Sequence, residues 1–91
     1  MKKSIRLHIT GFVQGIFFRQ FIKDQADKNK VRGYVRNLED GRIEIFLEGD
    51  KNSVDAMLEI CKKGPAHAKI RSIEEKPEPF QDFKEFKILR F

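Results

Sequence analysis

The sequence predicts an α+β domain of the ferredoxin-like, split βαβ kind: an antiparallel sheet with two helices on one face. Three observations predict it. Apolar residues alternate with polar ones in several short runs, the mark of half-buried strands. Two longer runs repeat instead at helical spacing. Their order along the 91 residues is β-α-β-β-α-β with a short terminal strand, as two interlocked βαβ units require.

The first strand rests on Ile5, Leu7 and Ile9, which alternate with Arg6, His8 and Thr10 as far as Gly11. His8 falls on the polar register and reads as a surface or loosely packed residue, not a ligand. From Phe18 the period becomes helical: Phe18, Phe21, Ile22 and Ala26 share one side, with Lys23, Asp24, Asp27 and Lys28 opposite. Val31 to Asn37 reads as the second strand, and Leu38-Glu39-Asp40-Gly41 supplies an Asp-Gly turn of the type hairpins favour. In the third strand Ile43, Ile45 and Leu47 alternate with Glu44, Phe46 and Glu48, which places Phe46 on an exposed face between two carboxylates.

Asp50 is positioned to cap the second helix, whose buried stripe is Val54, Met57, Leu58 and Cys61. Gly64-Pro65 is its stop signal. His67 follows in a short loop, with no second ligand at metal-binding spacing. Ile70 and Ile73 mark a weaker fourth strand, and Lys76-Pro77-Glu78-Pro79 reads as a stiff, extended connector. Phe86, Ile88 and Leu89 form a last strand that carries the chain to Phe91.

Composition narrows the class. A chain of this length is expected to make one domain, residues 1–91, with one core, and nine Phe against no Trp lead to the expectation of a phenylalanine-rich one. Forty per cent apolar and 36% charged residues describe a globule, not a disordered chain. No apolar run reaches membrane-span length, and Met1-Lys2-Lys3 leads straight into strand residues without a signal-peptide core. The net charge of +5 favours anionic partners. The lone cysteine, Cys61, fits a reducing compartment, so the expectation is a cytoplasmic monomer.

The chemistry gathers in Gly11-Phe12-Val13-Gln14-Gly15-Ile16-Phe17-Phe18-Arg19. A strand passing through a glycine turn into a helix points several backbone N–H groups outward, at the positive end of the helix dipole. Such a join suits a phosphate, and the planar fork of Arg19 can grip two phosphate oxygens. The main-chain groups of Gln14, Gly15, Ile16, Phe17, Phe18 and Arg19 are therefore candidate phosphate ligands. The topology brings in a distant partner. A βαβ crossover leaves the first two strands parallel with the third between them, so Gly11 and Asn37 emerge at one sheet edge, about 10 Å apart.

The same stretch resembles the first signature of the acylphosphatases, and Gly33-Tyr34-Val35-Arg36-Asn37-Leu38-Glu39-Asp40-Gly41-Arg42-Ile43-Glu44 resembles the second. Ile16 and Ile43 stand where that family more often has valine, and the last strand matches only loosely. The resemblance implies metal-independent, cofactor-free hydrolysis of the carboxyl–phosphate bond of small acyl phosphates, giving a carboxylate and inorganic phosphate. It also implies that Arg19 binds the phosphate and Asn37 orients the attacking water. A carboxylate leaves without protonation, which suits a sequence whose two histidines lie outside both motifs.

Two other readings stand beside this one. RNA-recognition modules share the βαββαβ order, and Arg32-Gly33-Tyr34-Val35 echoes the start of their aromatic motif. Here it falls on the second strand rather than the third, and Glu44 and Glu48 would repel a nucleic-acid backbone. The expectation is accordingly no nucleic acid and no membrane. The third reading is a non-catalytic accessory domain of a larger protein, since acylphosphatase-like modules occur fused in hydrogenase-maturation carbamoyltransferases.

Overall fold

The computed structural model describes residues 1–12, 15–66 and 68–90; Val13, Gln14, His67 and Phe91 lie outside them. The elements are β1 (Lys2–Phe12), α1 (Ile16–Lys28), β2 (Arg32–Asn37), β3 (Ile43–Asp50), α2 (Lys51–Lys63), β4 (Lys69–Pro77) and β5 (Phe86–Ile88). They build a five-stranded sheet in the order β4-β1-β3-β2-β5. The four longer strands pair antiparallel, with β3 between β1 and β2 as the crossover requires. The short β5 adds to β2 in parallel and makes the sheet mixed.

The core forms where the inward rows meet the helices. Ile5, Leu7 and Ile9 face Leu47, Ile45 and Ile43 across the β1–β3 pair, and Val35 continues the row onto β2. Phe18, Ile22 and Ala26 of α1 and Val54, Met57, Leu58 and Cys61 of α2 close over them. Cys61 is fully enclosed, and burial pushes its thiol up to about 12. Asp50 caps α2 as expected, accepting from the Asn52 N–H at 3.1 Å. Helix α1 starts at Ile16, two residues before the Phe18 at which its apolar period becomes visible.

Two expectations need correction. The connector does not begin at Lys76, because Lys76 and Pro77 are still paired with Arg6 and Ile5 in β4. Proline is tolerated there because β4 is an edge strand and Pro77 is its last residue. The outer face of β3 is also not exposed: Glu44, Phe46 and Glu48 are all buried. The reason is topological. Strands β4 and β5 lie at opposite edges of the sheet, so residues 78–85 must cross the face away from the helices, a span of about 19 Å at four strand spacings.

That strap is pinned along its length. Glu78 pairs with Arg6 at 2.7 Å, and its carbonyl accepts the Ser4 hydroxyl. Glu48, with no exposed surface, accepts the backbone N–H of Gln81 at 2.7 Å and that of Phe83. Phe83 then packs on Tyr34 and Phe46, with ring centroids 5.7 Å away in each case.

Candidate functional site

Helix α1 begins without a side-chain cap and without an acid in its first turn. Its N-cap, Gly15, has φ 102, which disfavours any residue with a Cβ although the space beside it is open. The glycine thus serves the chain's conformation, and it leaves the helix start accessible. The first-turn N–H groups have no intrahelical acceptors, so the dipole end of α1 faces outward uncompensated. Gly11 answers a different constraint. A Cβ there would lie 2.1 Å from the Lys69 carbonyl oxygen, where β4 crosses closely at a register shift between Thr10 and Gly11. Such a bulge bends the strand end, here just before the loop.

Arg19 sits one turn into α1. Its Nε donates to the Gly15 carbonyl at 3.3 Å, which turns the guanidinium back over the start of its own helix. Asn37 ends β2, in one cross-strand row with Ile43 of β3 and Ile9 of β1. Its Oδ1 is buried and has no hydrogen-bond partner among the described residues. A buried amide oxygen is ordinarily paired, so this one is placed to accept from a bound molecule.

The two residues share a cavity of about 310 Å³, which they line together with Ile16, Leu89 and Arg90. Of the other residues in the predicted loop, Gly15 is the exposed N-cap, Phe17 is 88% exposed and Phe18 is buried in the core. Gln14 lies outside the described residues.

Leu89 and Arg90 were missed by sequence reasoning. No motif marks them; they reach the cavity because β5 pairs with β2 and the Leu89 N–H donates to the Val35 carbonyl at 2.9 Å. That pairing is non-local and left no periodic signal in a three-residue strand.

Behind Asn37, on the strap face, Glu44 gathers three donors. Arg36 Nε lies at 2.7 Å, Tyr34 Oη at 2.9 Å and His8 Nε2 at 2.8 Å. Burial pushes the Glu44 carboxyl up, but the hydrogen bonds from His8, Tyr34 and Arg36 outweigh it and hold the group below its ordinary value. Burial and the neighbouring carboxylate raise the Tyr34 phenol. The network clamps β2 to β3 one residue before Asn37. His8, expected at the surface or loosely packed, is a half-buried member of it.

Comparison with known proteins shows the family to which the chain belongs. The sequence profile described as "Acylphosphatase" matches residues 5–88. An acylphosphatase of Rubrobacter xylanophilus is 42% identical over 85% of this chain and 70% of its own length. One from Pyrobaculum arsenaticum is 44% identical over 91% of this chain and 90% of its own. The crystal structure of acylphosphatase from Bacillus subtilis superimposes with a TM-score of 0.90 at 34% identity, covering 99% of this chain and all of that one.

Proposed function

Because this chain belongs to the acylphosphatase family, we propose that its reaction is carried by Arg19, the first-turn amides of α1 and Asn37. The enzyme hydrolyses acyl phosphates to a carboxylate and inorganic phosphate. In this reading the phosphoryl group sits at the N-terminus of α1, held by main-chain N–H groups and by the guanidinium of Arg19. Asn37 presents its unpaired Oδ1 to a water and aligns it for in-line attack.

The chemistry asks little beyond positioning. A phosphoryl transition state is loose, so fixed donors around its oxygens stabilise it without covalent help. The leaving carboxylate has a parent acid of pKa about 4 and needs no proton. Asn37 orients the water but cannot take its proton, so a phosphate oxygen of the substrate accepts it. The carrying observation is the shared cavity, in which a cation and an unpaired carboxamide oxygen meet at an uncapped helix start.

We further place the protein as a single-domain, cytoplasmic monomer that binds small acyl phosphates and inorganic phosphate and no nucleic acid. The buried Phe46 and the strap across it remove the open stacking face that RNA-recognition modules use. Purified protein should hydrolyse acetyl phosphate in excess chelator and be inhibited competitively by inorganic phosphate. No turnover under those conditions would overturn the assignment.

A further inference from the structure

The cavity holds more positive charge than a phosphoryl group at Arg19 uses. Among the described residues its lining has two charged side chains, Arg19 and Arg90, both guanidinium, and no side-chain carboxylate. The contrast lies elsewhere on the molecule, in a cavity of about 300 Å³ where Arg6 and Lys76 are balanced by Glu74 and Glu75. Arg19 is turned toward the helix start by its bond to Gly15, whereas Arg90 makes no hydrogen bond or ion pair with any described residue. The Leu89 main chain is tied to β2, which keeps Arg90 beside the cavity. Ile16 and Leu89 supply apolar wall, suited to methylene groups.

We propose that Arg90 selects acyl phosphates whose acyl part ends in a carboxylate. This rests on the reading that the phosphoryl group lies at Arg19 and the α1 N-terminus. With that end of the substrate held there, the acyl chain runs along Ile16 and Leu89 and its terminal carboxylate meets Arg90. The guanidinium fork matches a carboxylate in the same bidentate way that it matches a phosphate. A cavity of about 310 Å³ stands at the small end of ligand sites, so the chain between the two anionic groups is short.

The test compares kcat/KM for succinyl phosphate and butyryl phosphate, which share chain length and differ in a terminal carboxylate against a methyl. The native enzyme should prefer succinyl phosphate, and the preference should shrink with added salt. Arg90→Ala should lower the ratio of the two values roughly fivefold, the scale of one exposed charge contact, and Arg90→Lys should keep part of it. A ratio unchanged in Arg90→Ala overturns the proposal, whether both values fall together or neither falls. A native enzyme that hydrolyses both without preference overturns it too, and leaves the active-site reading intact. Turnover of neither substrate removes that reading and this inference with it.

Discussion

In the proposed reaction Arg19 and Asn37 carry different parts, and their variants should fail differently. On that proposal Asn37 orients a water needed only in the attacking complex, so Asn37→Ala should lower kcat by about 10²-fold. Inhibition by inorganic phosphate should persist, because the donors to phosphate are elsewhere. Arg19→Ala should lose turnover and phosphate inhibition together, since the guanidinium touches ground state and transition state alike. Steady-state kinetics with phosphate as competitor read both. Equal loss of kcat and phosphate affinity in Asn37→Ala would contradict a water-orienting role. Arg19 was legible in sequence because the turn chemistry of its loop is local, and Asn37 because the βαβ crossover and the family resemblance point to it. Arg90 was not, because its place depends on a partner strand far away in the chain.

At the scale of elements, the strap of residues 78–85 matters most. It joins the two edges of the sheet, and it delivers β5 and hence Leu89 and Arg90 to the cavity wall. Glu48 is its anchor, and Glu48→Ala would leave the Gln81 and Phe83 N–H groups without their acceptor. The expected cost is roughly 2–4 kcal/mol by urea titration, the scale of breaking a buried charged hydrogen-bond pair. KM should rise as well, because the far cavity wall is no longer held. A variant with native stability would show that the strap docks by its aromatic contacts alone. The sequence marks the Pro-containing stretch but not its path, since Pro77 looks the same in a connector as at the end of an edge strand.

For the whole molecule, the acid limit of stability is set partly by Glu44. Its carboxyl is held below the ordinary value of 4.5, so the unfolded chain binds a proton more readily than the folded one. The stabilisation is therefore complete above that value and is lost as pH falls through the lower, folded one. Urea midpoints measured between about pH 6 and pH 2 should fall less steeply in Glu44→Gln than in the native protein. Parallel curves would assign acid unfolding to other carboxylates.

Periodicity and turn residues were enough to reveal the βαββαβ order, both helix stripes, the Asp50 cap and the loop at the α1 start, because each is written in neighbouring residues. Which strands become neighbours is a matter of long-range pairing, and that alone decided the rest. Alternation along β3 reports one apolar face and one polar face, yet a strap from the far edge covers the polar one and buries Glu44, Phe46 and Glu48. In the same way, only the parallel docking of β5 on β2 brought Arg90 into the lining of the cavity that Arg19 shares, through a strand pairing that no local pattern encodes.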